Sequence, residues 1–342
     1  MENPLMWDAV GELLVTNDLA DSPAITVCEL LGGHSNPTFK LTTNRGVYVL
    51  RTKPHGNHPV SAHSIDREFR VMQALSTSLI PVPEMLFWCE DESILGAPFY
   101  LMEFLQGRVW FNQSLPFMTT AERGAIYAEM NRIIVTLHSL DPGLEGLSDF
   151  GKDGNYLARQ VGVWARQCEA STLALPPALR QLMEWVPRNP LTGTVTKLIH
   201  GDFRLDNLIF HPTEPVVIGV IDWELSTLGD PLADFAYHCL SWHVPPALWR
   251  GIGGLDLRAL GIPDERAYLA AYVNGTGHDP EGQWYFYLAF ICFRSAAILH
   301  GIAERATRGA AVSKDAIEMG KKVEPIAQLG WQFALRHEAM IR

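Results

Sequence analysis

Apolar residues recur along the chain with two different spacings, and these spacings predict its helices and strands. A spacing of three to four residues predicts helices over 3–20, 65–75 and 120–140, the last with Thr120 as its N-cap. Short apolar runs between turn residues predict strands. Five such runs fall in the first third of the chain: 25–29, 40–43, 47–51, 84–89 and 99–104.

The remainder of the chain is predicted to be mostly helical and, after Phe235, rich in aromatic residues. The most apolar stretch, 284–302, contains Arg294 and His300 and lacks the roughly 18 uninterrupted apolar residues of a membrane span. It therefore predicts a buried helix. Because a buried guanidinium needs a partner, Arg294 is expected either to form a salt bridge or to anchor an anionic substrate.

One polar segment interrupts this pattern between two strand-like runs, 197–200 and 216–221. Asp202 and Asn207 lie in the segment, and Asp222 directly follows the second run. A strand–loop–strand unit of this kind would hold three oxygen-bearing side chains around one point. Phosphoryl transfer needs such a set, because one carboxylate receives the proton of the attacking hydroxyl while an Asn and a second Asp hold Mg²⁺.

The same residues carry a family resemblance. The motif HGDFRLDN (200–207), followed by IDWE (221–224) and GDPLAD (229–234), resembles the catalytic and metal-binding motifs of the aminoglycoside phosphotransferase/choline kinase superfamily. The resemblance implies an α+β, two-lobed protein-kinase-like fold. The small lobe would have a five-stranded antiparallel sheet plus a helix, and the large lobe would be mostly helical.

The resemblance also implies where these parts lie along the chain. Residues 1–102 would form the small nucleotide-binding lobe and 103–107 the hinge. Residues 108–342 would form the large lobe, with the catalytic loop at 198–234 and a helical acceptor-binding region at 235–342.

Roles for the motif residues follow from the resemblance. Asp202 would accept the proton of the substrate hydroxyl or orient that hydroxyl, and Arg204 would neutralise Asp202 or touch the γ-phosphate. Asn207 and Asp222 would bind Mg²⁺. ATP is the implied donor and a small-molecule alcohol the implied acceptor, while His200 is expected to support the loop by hydrogen bonding.

The nucleotide-binding residues implied by the resemblance lie in the first third of the chain. They are a glycine-bearing turn over the phosphates, a strand cation, a helix carboxylate and hinge backbone around the adenine: Gly32, Gly33, Ser35, Asn36, Arg51, Glu68, Glu103 and Leu105. The strand cation is Arg51 where Lys is more familiar. Lys53 would face the same side of an extended strand and stays an alternative. The turn is not a P-loop, since no GxxxxGK[ST] occurs.

Charge is distributed unevenly within a formal total of −11. Residues 200–234 carry seven acids and one base, as expected for a site where a metal ion neutralises carboxylates. No basic stripe occurs, so nucleic-acid binding is not expected. Five scattered cysteines without CxxC spacing indicate a reducing compartment. The N-terminus has no pattern of a secretory signal, so we expect a cytoplasmic protein without membrane attachment.

The acceptor is the least determined element of this prediction. Aminoglycosides are polycations and call for carboxylates, whereas residues 235–342 carry ten acids and eleven bases. The motifs look closest to the phosphotransferase domains associated with acyl-CoA dehydrogenases. That resemblance suggests a hydroxyacyl compound or its CoA thioester as substrate, and a functional association with an acyl-CoA dehydrogenase. An aminoglycoside-type or other small-alcohol kinase is the alternative.

Other classes of protein fit less well. A pseudokinase or nucleotide-binding regulatory module would keep the fold without turnover, but Asp202, Asn207 and Asp222 are all present. A protein kinase needs a long activation segment, whereas GDPLAD follows Asp222 within about eight residues. A hydrolase reading has no G-x-S-x-G nucleophile elbow to support it.

Overall fold

The computed structural model describes residues 4–30, 36–53, 65–152, 155–191, 195–307 and 318–342, with side chains from residue 6 onward. These residues form two compact units. The first unit comprises Met1–Val109 and Asn207–Ser226, and the second comprises Trp110–Asp206 and Thr227–Arg342.

The first unit contains most of the strands, and helices dominate the second. The strands are β1 Thr26–Glu29, β2 Thr38–Thr42, β3 Val47–Thr52, β4 Met85–Cys89, β5 Phe99–Glu103, β6 Lys197–Ile199, β7 Leu208–Phe210, β8 Val217–Val220 and β9 Thr227–Gly229. The helices are α1 Pro4–Thr16, α2 Ile65–Leu75, α3 Glu92–Leu95, α4 Thr120–Ser139, α5 Tyr156–Glu169, α6 Pro177–Arg188, α7 Pro231–Cys239, α8 Leu257–Leu260, α9 Glu265–Thr276, α10 Trp284–Thr307 and α11 Val323–Ile341.

The first unit is built on a five-stranded antiparallel sheet in the order β1-β2-β3-β5-β4. Four consecutive residues are buried in each of β3 and β5, and α1 contributes Val10 and Leu14 to the core cluster that contains Leu50 and Leu101. The register pairs Arg51 with Tyr100. The five predicted strands and the α+β class are therefore confirmed.

A second hairpin, β7–β8, completes the first unit. Its Gly219 leaves room for Leu105, because a Cβ there would lie 2.2 Å from Leu105 Cδ1. Arg108 pairs with Phe210 through two backbone hydrogen bonds of 2.8 and 2.9 Å. These contacts attach residues 207–226 to the first unit, whereas the sequence analysis had placed them within the 108–342 lobe. The predicted hinge at 103–107 stays a prediction.

The second unit is a helical assembly that holds a small β6–β9 ladder. Its helix α4 begins with a capping box between Thr119 and Glu122. The N-cap is thus Thr119 and not Thr120, because it is the Thr119 side chain that bonds the N–H of Glu122.

Helix α10 lies in the core of the second unit, as predicted. Among the described residues it is the one helix long and apolar enough to cross a membrane. An 18-residue stretch of this helix has a mean hydropathy of 1.6, and 83% of that stretch is buried within the protein. Helix α11 packs closely on it at Gly330, where a Cβ would come within 2.5 Å of Cys292 Cβ. This burial is that of a core helix.

Candidate active site

The first unit gathers one cation and two carboxylates from three different elements. Arg51 projects from β3, with its Nε 3.1 Å from Glu68 Oε2 on α2 and its Nη2 donating to Asp222 Oδ1 at 2.8 Å. The Oε2 of Glu224 lies 4.0 Å from the same Nη2. Arg51 and Glu68 are both buried, so water screens this cluster little.

The electrostatics of the cluster depend on burial and on mutual pairing. Burial alone would lower the pKa of Arg51, but Glu68 and Asp222 raise it well above its usual value. Burial raises the pKa of Glu68 to about 7, although the nearby Arg51 acts to lower it. Arg51 is therefore always charged, whereas Glu68 changes protonation near neutral pH.

Asn207 and Asp222 are neighbours across the β7–β8 hairpin. The N–H of Ile221 donates to the carbonyl of Asn207 at 3.0 Å, which continues the ladder to the residue before Asp222. Asp222 itself adopts a left-handed backbone conformation with φ 67°, which turns the chain sharply after β8. Asp and Asn tolerate this conformation better than most residues.

These two side chains fit a magnesium ion in chemical terms. An amide and a carboxylate supply hard oxygen ligands, and Mg²⁺ is usually held by one or two protein carboxylates plus waters and substrate phosphates. No group of three or more His, Cys, Asp or Glu forms a complete metal cage among the described residues. The pair therefore suits a metal that arrives with a nucleotide.

The other predicted nucleotide-binding residues are described unevenly. Gly32, Gly33 and Ser35 lie outside the described residues. Asn36 is buried, and neither polar atom of its amide has a hydrogen-bond partner in the described part of the chain. Lys53 follows the end of β3, and in the first unit it is Arg51 that contacts the carboxylates.

The predicted adenine contacts lie at the end of β5. The N–H of Glu103 already donates to the carbonyl of Glu84 at 2.9 Å. A nucleotide contact there would therefore use the carbonyl of Glu103 or the backbone of Leu105, whose side chain packs against Gly219.

In the second unit, two donors hold the carboxylate of Asp202. Tyr237 donates its O–H to Oδ1 at 2.5 Å, and Arg204 donates from Nη2 to Oδ2 at 2.8 Å. Asp206 is bonded to Arg250 and lies 3.4 Å from Arg204 Nη1. The sequence analysis did not find Tyr237 and Arg250 as site residues, since both reach the loop through the tertiary fold.

The backbone of the same loop is fixed from both sides. Asp234 on α7 accepts hydrogen bonds from the N–H groups of His200 and Gly201, each at 2.9 Å. Arg294 on α10 donates to the carbonyl of Gly201 at 3.1 Å, so the partner found for this guanidinium is a backbone carbonyl of the loop. The ring of His200 accepts the N–H of Asp202 at 3.2 Å, which is the supporting role expected for it.

Comparison with known proteins places this geometry in context. The family model described as "Phosphotransferase enzyme family" matches residues 26–277. Acyl-CoA dehydrogenase family member 10 of Mus musculus is 45% identical over 306 residues, which cover 89% of this chain and 29% of that protein. Acyl-CoA dehydrogenase family member 11 of Rattus norvegicus is 40% identical over 315 residues, covering 91% and 40%. The chain thus spans less than half the length of the curated relatives it matches.

Solved structures agree with the family match. A Ralstonia eutropha JMP134 protein, provisionally described as an aminoglycoside phosphotransferase, is 47% identical and superposes with a TM-score of 0.87 over 96% of this chain and 98% of its own. The ternary complex of aminoglycoside phosphotransferase APH(4)-Ia with ADP and hygromycin B is 15% identical, with a TM-score of 0.59 over 94% and 99%. The predicted superfamily resemblance and the kinase-like fold are confirmed.

Proposed function

This chain belongs to the phosphotransferase enzyme family, and we propose that it transfers the γ-phosphate of ATP to the hydroxyl group of a small molecule. The observation that carries the proposal is the cluster in the first unit. There Arg51 contacts both the helix carboxylate Glu68 and the turn carboxylate Asp222. Kinase-like enzymes use this combination to position nucleotide phosphates and their metal ion.

The first unit supplies the nucleotide and metal ligands in this proposal. Arg51 binds the α- and β-phosphates and is oriented by Glu68, while the backbone near Glu103 and Leu105 contacts the adenine. Asn36 contacts the phosphates. Asn207 and Asp222 would hold Mg²⁺, which would neutralise the negative charge of the phosphates.

The second unit supplies the residues that act on the acceptor. Asp202 takes the proton that leaves the acceptor hydroxyl, and Arg204 compensates negative charge on that carboxylate or on the incoming phosphate. Asp234 and Arg294 keep the loop in one conformation, so Asp202 is already in position before the substrate binds.

A hydroxyacyl compound, or its CoA thioester, is the acceptor that we propose. The curated relatives bear the names of acyl-CoA dehydrogenase family members, which supports a substrate drawn from acyl metabolism. We also propose that the enzyme works together with an acyl-CoA dehydrogenase in the cytoplasm. All five cysteines are free thiols, in keeping with a reducing compartment.

The test is Mg²⁺-dependent release of ADP from ATP with a panel of alcohols: hydroxyacyl-CoAs, free hydroxy acids, sugars, choline and aminoglycosides. Asp202→Asn is expected to lower turnover by about 10²–10⁴-fold while ATP still raises the melting temperature. Asp279→Asn is the matched control, because Asp279 is exposed and its Oδ1 only accepts the N–H of Glu281.

The outcomes separate the alternatives. Turnover with one class of alcohol, lost in Asp202→Asn and kept in Asp279→Asn, supports the proposal and names the substrate class. No turnover with any acceptor, with the ATP-induced stabilisation intact, supports a nucleotide-binding pseudokinase instead. No stabilisation by ATP contradicts the nucleotide site.

A further inference from the structure

A small cavity of about 40 Å³ lies beside the catalytic loop, entirely within the second unit. A volume of this size holds a few water molecules or the hydroxyl end of a substrate. Its lining includes Gln113, Arg204, Tyr237, His238 and Arg250. Asp202 is not among the described residues that line it. A hydroxyl group in this cavity would therefore meet Tyr237 before Asp202.

Tyr237 is placed so that it can pass a proton in one direction. Its O–H donates to Asp202 Oδ1 at 2.5 Å, which leaves the lone pairs of the phenol oxygen to accept a hydrogen bond from the cavity side. A hydrogen bond from a phenol to an anionic carboxylate oxygen is charge-assisted and belongs to the strong class. The donor–acceptor chain then runs from cavity to Tyr237 to Asp202.

The position of Tyr237 is fixed by the helix that carries it and by a neighbouring arginine. Asp234, three residues earlier on α7, accepts hydrogen bonds from the consecutive N–H groups of His200 and Gly201, and residues three apart share a helix face. The guanidinium of Arg294 lies 5.6 Å from the centre of the Tyr237 ring. The same helix therefore holds both the loop that carries Asp202 and the phenol that contacts it.

The histidine at the cavity is a poor rival as proton acceptor. Burial lowers the pKa of His238 to about 4, so a proton on its ring is unfavourable at neutral pH. Its Nε2 already lies 2.9 Å from the hydroxyl of Tyr268.

We propose that Tyr237 is a catalytic residue that relays the proton of the acceptor alcohol to Asp202. The inference rests on the proposed phosphotransfer. The acceptor O–H bond breaks as its oxygen forms a bond to the γ-phosphorus and the bond from that phosphorus to the ADP oxygen breaks. The alcohol proton passes to the Tyr237 oxygen, and the Tyr237 proton passes to Asp202 Oδ1. ADP leaves with the electron pair of the broken P–O bond, and Asp202 leaves the step protonated.

The surrounding charges favour a concerted transfer. Burial and the Asp202 carboxylate raise the pKa of Tyr237 well above its usual value, while Arg204 and Arg294 act to lower it. A free phenolate is therefore costly, and the phenol gains one proton as it loses the other.

The experiment measures single-turnover phosphate transfer in mixtures of H₂O and D₂O, with the best acceptor of the alcohol panel or, if none reacts, with water in MgATP hydrolysis. Wild-type protein is compared with Tyr237→Phe, which keeps the ring that Arg294 covers. The control is Tyr287→Phe, which removes a different tyrosine–aspartate bond, that of 3.1 Å to Asp230.

The relay predicts that the wild-type rate falls along a curved line as deuterium increases, because two protons move together. Tyr237→Phe should be about a hundredfold slower, with KM changed less than twofold and with a straight plot. Tyr287→Phe should keep the curved plot. A straight wild-type plot, or an unaltered rate in Tyr237→Phe, overturns the relay and leaves the phosphotransfer standing. Absence of turnover with every alcohol and with water overturns the proposed function and the relay with it.

Discussion

At the scale of single residues, the two contacts of the Arg51 guanidinium explain why this chain has arginine where lysine is more familiar. Its guanidinium reaches Glu68 through Nε and Asp222 through Nη2 at the same time. A lysine carries one compact ammonium on a flexible stem and lacks this planar fork. The arginine therefore joins α2, β3 and the turn after β8 in one buried ionic cluster.

Replacement of Arg51 should reveal both its structural and its binding role. Arg51→Met leaves Glu68 buried without its cation, and we expect a loss of about 3–5 kcal/mol in the free energy of unfolding. Arg51→Lys should recover part of that loss but bind ATP more weakly than wild type. Urea unfolding and ATP titration measure the two effects. Arg45→Met is the control, because Arg45 pairs with Asp21 at 2.5 Å on the surface and should change stability by less than about 1 kcal/mol.

The stability loss of Arg51→Met should depend on pH because Glu68 titrates. Its folded-state pKa of about 7 lies above the ordinary 4.5, so the folded protein binds more protons than the unfolded chain between these values and its stability falls as pH rises. Without Arg51 the charged form is even less favourable. The stability gap between wild type and Arg51→Met should therefore widen from pH 6 to 8.5, and a gap that stays constant or equals that of Arg45→Met would contradict this account.

Sequence spacing relates those candidate site residues that lie close together along the chain. Asp202 and Asn207 belong to one motif, and Asp222 follows the next strand, so spacing alone relates them. Tyr237 and Arg250 could not be found in this way, because they meet Asp202 and Asp206 from 35 and 44 residues further along the chain. The identity of those partners depends on how α7 and the segment after it pack.

At the scale of elements, α7 is the helix that organises the catalytic loop. It begins at Pro231, whose missing N–H is not needed in the first turn, after the N-cap Asp230. Asp234 and Tyr237 follow on one face and contact the loop. The motif GDPLAD is thus both a helix start and a loop anchor.

The cap of α7 gives a testable pH effect on stability. Burial raises the pKa of Asp230 to about 6, although its bonds to the N–H of Leu232 and to Tyr287 act to lower it. The folded protein therefore binds the extra proton between pH 4 and 6, and this contribution to stability is lost as pH rises through about 6. Asp230→Asn keeps a side-chain oxygen that can accept the N-cap hydrogen bond, but it removes the carboxyl group that titrates.

Urea unfolding of wild type and Asp230→Asn between pH 4.5 and 7.5 checks this effect. The variant should gain stability relative to wild type as pH rises, by up to about 3 kcal/mol over the window. Asp264→Asn serves as the exposed counterpart, since Asp264 caps α9 through the N–H of Ala267 at 2.8 Å. A change for Asp230→Asn no larger than that for Asp264→Asn would rule the effect out.

At the scale of the whole molecule, the fold class was predictable and the division of the chain was less so. Short apolar runs predicted the sheet of the first unit, and helical spacing predicted helices in both units, because each pattern reflects which side chains are buried. That 207–226 belongs to the first unit depends on contacts such as Leu105 on Gly219 and Arg108 with Phe210, which no local pattern indicates. Tertiary contacts between distant segments are what sequence periodicity leaves open.

The charge balance of the second unit predicts which acceptors the enzyme prefers. Asp202 and Asp206 are already bonded to guanidinium groups, and Arg204 and Arg250 line the small cavity. A cationic acceptor would meet these arginines there, whereas a neutral or anionic one would not be repelled. The prediction compares choline with dimethylbutanol, its uncharged isostere, and a hydroxy acid with an aminoglycoside, in the ADP-release assay. We expect the uncharged member and the hydroxy acid to have the higher kcat/KM, by about tenfold or more, which corresponds to about 1.4 kcal/mol. The control compares two arginine variants. Arg250→Met should reduce the difference in kcat/KM between the paired acceptors, whereas Arg258→Met, which replaces an exposed arginine, should leave that difference unchanged. A preference for choline or the aminoglycoside would show that the acceptor site selects cations despite these arginines.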